Sequence, residues 1–359
     1  QFPEENELTF FLAELLIDAG EDERATGLLS DIHAEDDDYL RASLLLADIY
    51  MNQGLDEVAE RKLLEAKRID PAQPVVTYAL AEFYYSLGQY GKSVPHYEQL
   101  LRDGDLPDEN VHLRLAAALS GSGDFETALG VYEQSAHQDM DGDSLFNYGF
   151  TAFQAGEYQR AIQILNELKA TDPDFSKLYL YLVRACRAEG SFDAALEAAE
   201  EGLQLEGIHD ELAYEAGMVA LTSGDPSLAE RYFKKSLRAN PVHHGALKGL
   251  ARLYKRQERY DELMDLLGGM RDKEEQDPVF SWYLAGAERE EEQFESAAKH
   301  YKEAAPYLAA EPEFLEEYGD FLWEEGRRGE AAALYNKAMI VDPSLVHLQE
   351  KISLFEDEI

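Results

Sequence analysis

Cysteine is almost missing from this 359-residue chain: Cys186 stands alone. No intramolecular disulfide can form, and a reducing compartment is favoured. Positive charge is scarce too, with 32 lysines and arginines against 73 acidic residues and a formal net charge of −41. A surface so acidic repels nucleic acid and anionic membrane, which leaves neither as a natural partner. No apolar run approaches the roughly 18 residues needed to cross a bilayer, so membrane insertion is not expected. A P-loop, a dinucleotide-type glycine motif, HExxH and CxxC are all absent, so no cofactor, metal or catalytic role is expected. What is present is ample core material, 45% hydrophobic and 11% aromatic, too much for a disordered chain. Gln rather than Met stands first, which raises the expectation of a trimmed chain, with a signal or further N-terminal structure removed.

One period organises the rest. Glycine recurs at Gly20, Gly54, Gly88, Gly123, Gly156, Gly190, Gly224 and Gly326, and Glu258 and Glu292 occupy the two skipped slots at the same interval of about 34 residues. Five residues after each slot comes a small side chain: Ala25, Ala59, Ser93, Ala128, Ala161, Ala195, Ala229, Ala297 and Ala331, with Leu263 the exception. Seven residues before each slot the series runs Ala13, Ala47, Ala81, Ala116, Gly149, Val183, Gly217, Ala251, Ala285 and Gly319. Small residues let two helices approach closely, and glycine tolerates the left-handed conformation that ends the first of them. Pro71, Pro173, Pro241 and Pro343 close several units.

Stretches such as ASLLLADIYMNQGLDEVAERKLLEAKRIDP and YGDFLWEEGRRGEAAALYNKAMIVDP carry the whole pattern. The chain resembles the tetratricopeptide repeat family, in the style of its bacterial cytosolic members, and a cytoplasmic location is expected. The resemblance implies an all-α fold, a right-handed α-solenoid superhelix of about ten helix–turn–helix repeats. Repeats start near residues 6, 40, 74, 109, 142, 176, 210, 244, 278 and 312, so the array covers 1–345 as one elongated unit. In the remaining 346–359, Leu348, Ile352, Phe355 and Ile359 share one helical face, which predicts a C-terminal capping helix; a partner-binding tail is the competing reading.

Three local features attract attention and then lose it. Asp139, Asp141 and Asp143 have calcium-loop spacing, but Gly142 sits at the fourth place and Phe150 stands where the bidentate glutamate belongs, so a turn between repeats is the better reading. His243 and His244 are adjacent in a predicted turn and lack matched partners for a metal. Cys186 falls on an inward helix position and reads as a buried structural thiol.

Function in a solenoid is expected on the concave wall. The family resemblance implies that positions 2, 5, 9, 12 and 13 of each first helix line it. Those positions are acidic with aromatics in the first three repeats, among them Glu7, Phe10, Glu14, Asp18, Asp48 and Glu82. Phe146, Phe150 and Phe153 follow in the fifth repeat, and Tyr214 and Met218 in the seventh. Repeats six, eight and nine supply a basic band of Lys177, Arg184, Arg187, Lys248, Arg252, Lys255, Arg256 and Arg289, with Trp282 among them. Repeat ten is acidic again, with Glu313, Glu316, Asp320 and Glu324. A concave site focuses its field, so a basic band can persist inside a negative molecule.

The matching ligand is a protein or peptide segment with acidic and hydrophobic side chains, held by arginine forks and aromatic anchors. Two other readings stay open: the cations pair with acids across the same groove, such as Glu290 or those of repeat ten, and the phenylalanines are buried by a neighbouring repeat. A carboxylate clamp of the chaperone-tail type is not expected, because no asparagine stands at position 9 of any repeat. The expectation is a non-enzymatic scaffold or adaptor binding in the groove. The alternatives are an assembly or regulatory subunit using its convex face or ends, and, least favoured, RNA binding along the basic band.

Overall fold

The computed structural model describes residues 3–33, 35–36, 38–104, 110–134, 140–207, 209–268 and 277–356. Every regular element among them is a helix, and the chain divides into two compact units, 1–189 and 190–359. The first holds α1 (Pro3–Asp18), α2 (Asp22–Ser30), α3 (Tyr39–Asn52), α4 (Asp56–Ile69), α5 (Pro74–Ser86), α6 (Tyr90–Asp103), α7 (Val111–Gly121), α8 (Phe125–Gln134), α9 (Gly142–Gln154), α10 (Tyr158–Thr171) and α11 (Ser176–Ala188). The second holds α12 (Phe192–Gly202), α13 (Asp210–Thr222), α14 (Pro226–Ala239), α15 (His244–Arg256), α16 (Tyr260–Gly268), α17 (Pro278–Glu290), α18 (Phe294–Ala304), α19 (Pro312–Glu324), α20 (Arg328–Val341) and α21 (His347–Glu356).

The turn between paired helices has one geometry throughout. Each slot residue has positive φ, from 68° to 90° at the eight glycines, and 56° and 58° at Glu258 and Glu292. The following N–H then reaches back five residues, as Leu55 to the Tyr50 carbonyl at 2.8 Å and Arg259 to that of Tyr254 at 3.0 Å. These bonds satisfy carbonyls that the ending helix would otherwise leave open. Helix starts are equally local. Pro74, Pro226, Pro278 and Pro312 begin their helices, where a missing N–H costs nothing, and the Asp225 and Asp277 carboxylates accept backbone N–H groups of Leu228 and Val279. Asp141 does the same for α9, accepting the Ser144 N–H, and hydrogen bonding from the Ser144 side chain and then its backbone holds the carboxyl below the ordinary range. The aspartate-rich stretch is therefore a helix cap; Asp139 lies outside the described residues.

Packing explains the two series of small residues. Ala25, Ala59, Ser93 and their counterparts are fully buried, and Leu263 is accommodated there without exposure. At Gly217 and Gly319 the facing rings of Phe233 and Tyr335 come so close that a Cβ would sit 2.6 and 2.5 Å away. Two buried tyrosine hydroxyls inside the hairpins are paired: Tyr97 donates to Glu82 at 2.6 Å, and Tyr335 to Asp320 at 2.7 Å. Two acids expected on the open wall are thus tied to the core behind them. At the C-terminus, α21 buries Leu348 and Ile352 in the cluster that also contains Phe314, Phe321, Tyr335 and Ala338. The Phe355 side chain and Ile359 lie outside the described residues.

Candidate functional site

Within each unit, first helices of successive pairs are neighbours, as α7 with α9 and α9 with α11 in the first, and α13 with α15 and α15 with α17 in the second, and the expected binding residues divide between the units. In the first unit, Phe146, Phe150 and Phe153 project from α9, each half-buried. All three meet one ring of α11, Tyr181, with centroids at 5.7, 5.0 and 5.8 Å. Phe146 also meets Phe175 at 5.3 Å, and the Arg184 guanidinium lies 5.8 Å from the Tyr181 centroid. Lys177 is exposed and Arg187 is half-buried. Cys186 is buried on the same helix, and burial pushes its thiol up, away from reactivity. Phe10, expected on the wall, is buried beneath the Arg41 guanidinium.

In the second unit, α15 carries its four cations, Lys248, Arg252, Lys255 and Arg256, on one face, and two of them are already engaged. Lys248 Nζ lies 2.6 Å from Asp277, which also takes His244 Nε2 at 2.7 Å. Burial opposes the charged form of Asp277, yet these contacts and the Val279 N–H hold its carboxyl below the ordinary range. Lys255 Nζ donates to Glu317 at 2.5 Å and sits 4.2 Å from the Trp282 ring centroid. Glu317, on α19, also accepts Trp282 Nε1–H at 2.9 Å and the Tyr301 hydroxyl at 3.1 Å. Arg289 forks onto Glu324, its Nε 2.8 Å from one carboxylate oxygen. Trp282 is only 7% exposed. It therefore belongs to the core rather than the binding wall, because its N–H is taken by the half-buried Glu317 and its ring packs on Phe314. Lys248, Lys255 and Arg289 follow the pairing alternative, with acids of α19 or the α17 cap as partners.

Arg252 and Arg256 are different. They stand one turn apart on α15, both exposed, and neither has a carboxylate partner among the described residues. They rim a cavity of about 520 Å³ between α13 and α15, lined by Met218, Leu221, Pro226 and Leu253. Tyr214, expected on the same wall, is half-buried against Phe233 and His243 and does not line the cavity. An apolar floor with two adjacent guanidinium groups combines hydrophobic surface with bidentate donors for a carboxylate. His243 itself caps α15 and meets Glu211 at 2.8 Å. Among the described residues no group of three or more His, Cys, Asp or Glu could hold a metal ion, and no helix is long and apolar enough to cross a membrane.

Sequence reasoning missed Tyr181 and Glu317, the two hubs. Both occupy the sixth position of their repeat, one beyond the fifth-position stripe, so widening that stripe by one residue recovers them. Leu221, at a twelfth position, completes the cavity floor.

Comparison with known proteins agrees with this architecture. Residues 52–105 match the family described as YpiA-like tetratricopeptide repeats, and 278–344 match the YpiA-like C-terminal repeats. Residues 113–174, 152–207 and 214–262 match general tetratricopeptide repeat families. The TPR repeat-containing protein YpiA of Bacillus subtilis (strain 168) is 39% identical over 358 residues, 99% of this chain and 85% of that protein. Among solved structures, the C-terminal part of a tetratricopeptide protein from Cytophaga hutchinsonii superposes with TM-score 0.51 at 15% identity, covering 76% of this chain and 98% of that one. A repeat protein from Parabacteroides merdae gives 0.49 at 16% identity, over 69% of this chain and 97% of its own.

Proposed function

The chain belongs to the YpiA-like tetratricopeptide repeat family, and from that premise we propose that its α13–α15 groove binds an acidic, apolar segment of a partner protein. Tetratricopeptide arrays are protein-interaction scaffolds and generally carry no catalysis. In this reading Arg252 and Arg256 fork onto ligand carboxylates, while Met218, Leu221 and Leu253 receive an apolar side chain. The half-buried Phe146, Phe150 and Phe153 cluster offers a second apolar anchor point in the first unit. The observation that carries the reading is the contrast along α15: Lys248 and Lys255 are neutralised by Asp277 and Glu317, while Arg252 and Arg256 are exposed over an apolar cavity. Two cations left unpaired at the mouth of such a cavity are available to a ligand at no cost in internal contacts.

The test is fluorescence anisotropy with a labelled amphipathic peptide bearing glutamates one helical turn apart beside leucines, and a counterpart with lysines in their place. Only the acidic peptide should bind, more weakly as salt rises. Replacing Arg252 and Arg256 by Glu should weaken it by about 100-fold or more, equivalent to roughly 2.7 kcal/mol. Lys234, paired with Glu230 on α14, and exposed Lys235 provide the matched control. Binding that survives the α15 reversal but disappears on reversing Lys234 and Lys235 would move the site to the other helix layer.

A further inference from the structure

Four repeats carry a tyrosine nine residues after the turn slot: Tyr97, Tyr132, Tyr301 and Tyr335, all buried. Three of them donate their hydroxyls to an acid on a first helix. Tyr97 and Tyr335 reach the ninth position of their own repeats, Glu82 at 2.6 Å and Asp320 at 2.7 Å. Tyr301 reaches the sixth position of the following repeat, Glu317 at 3.1 Å. Tyr132 finds neither acid, because its own ninth position is Ala117 and the following sixth position is Asn147. Among the described residues its buried hydroxyl has no hydrogen-bond partner. Thr151 beside it is already bonded to Ser120 at 2.8 Å and to the Asn147 carbonyl at 2.6 Å. A buried hydroxyl left unpaired costs stability until something accepts its hydrogen.

A cavity of about 350 Å³ opens where the acid is missing, lined by Tyr132, Ala117, Asn147 and Arg114. The Arg114 guanidinium lies 5.6 Å from the Tyr85 ring centroid and reaches Glu82 only at 3.5 Å, an acid already bonded to Tyr97. We propose that this cavity, between α7 and α9, binds a carboxylate group, which accepts the Tyr132 hydroxyl in place of the missing acid and is balanced by Arg114. The Tyr97–Glu82 and Tyr335–Asp320 bonds are the same contact made internally in other repeats. Asp141 and Asp143 also line the cavity; Asp141 is engaged with the Ser144 N–H, and Asp143 is exposed. Both disfavour a second negative charge, so the fitting ligand turns one carboxylate inward and a neutral or cationic group outward. A small amino acid and a glutamate side chain of a partner segment offer the same group. The site lies wholly within the first unit and does not depend on the α13–α15 groove.

Titration calorimetry of the whole chain with ε-aminocaproate, and with a capped tetrapeptide bearing one glutamate beside one lysine, separates the two sources. Binding of ε-aminocaproate assigns the site to a small molecule, and binding of the peptide alone assigns it to a partner segment. Adipate, which has a carboxylate at both ends, should bind at least tenfold more weakly than the better of the two. Tyr132→Phe and Ala117→Glu should each weaken that compound at least tenfold, the first by removing the donor and the second by installing the acid that other repeats carry. Melting curves separate these effects from misfolding. Without ligand, Tyr132→Phe should melt no lower than wild type, whereas Tyr97→Phe should melt lower, because only the second breaks a bond. The bound compound should raise the Tm of wild type and leave that of Tyr132→Phe unchanged. No binding of either compound at about 10 mM, or binding that ignores both substitutions, overturns the proposal. So does a Tyr132→Phe chain that melts as low as Tyr97→Phe, or adipate binding as tightly as the better compound.

Discussion

Replacing Glu258 and Glu292 by glycine should stabilise the second unit. At the eight glycine slots an added Cβ meets no atom within 4 Å, so space does not explain the glycine; the torsion angle does. Glu258 and Glu292 adopt the same turn with φ of 56° and 58°. A side chain in the left-handed region costs about 1–2 kcal/mol. Glycine gives back about 0.5–1 kcal/mol through the greater freedom of its unfolded chain. The net gain is about 0.5–1 kcal/mol per site, and about 1–2 kcal/mol for the pair. In a unit of this size each kcal/mol moves Tm by about 2–4 °C, so the double variant should melt about 2–8 °C higher by scanning calorimetry. Hydrogen exchange across 244–268 and 277–304 should slow in parallel. Glutamine at both positions is the control, because it removes the two charges and keeps the Cβ. A glycine variant no more stable than the glutamine variant would refute the torsional account and leave charge relief as the cause.

Three further outcomes follow from contacts already described. Glu317→Ala should lose about 2–3 kcal/mol in urea unfolding, because it strands the Trp282 N–H and the Lys255 ammonium together; Glu317→Gln should lose less. Ending the chain before His347 uncovers the cluster that Leu348 and Ile352 seal, and should cost about 2–5 kcal/mol or drive association, read by melting and light scattering. Hydrogen bonds from Arg259, helped by Lys234 and opposed by burial, pull the Glu230 carboxyl down to about 2. A depressed carboxyl stabilises the fold above its unfolded value and loses that contribution as pH falls. Glu230→Gln should therefore be less stable than wild type at pH 7, with the gap closing between about pH 5 and pH 2 in urea midpoints.

The sequence by itself determined the helices and their pairing, because both rest on local chemistry. A left-handed turn residue acts only on its own backbone, and the slots at Gly20 through Gly326 could be read for that reason. Even the exceptions were legible: Glu258 and Glu292 take the same positive φ as the glycines they replace. The small residues at Ala25 or Gly217 were equally readable, since the helix they touch is the next or the previous one in the chain. The cations of α15 were not separable in this way. Lys255 and Arg256 are adjacent in the chain and alike in charge, yet one points at Glu317, 62 residues onward, and the other toward an open cavity. Trp282 looked available for binding until an acceptor on α19 was placed beside its N–H. Which cation is spent and which is free depends on distances between side chains from different repeats. A repeating sequence specifies the hairpins, but only their packing decides which charges meet.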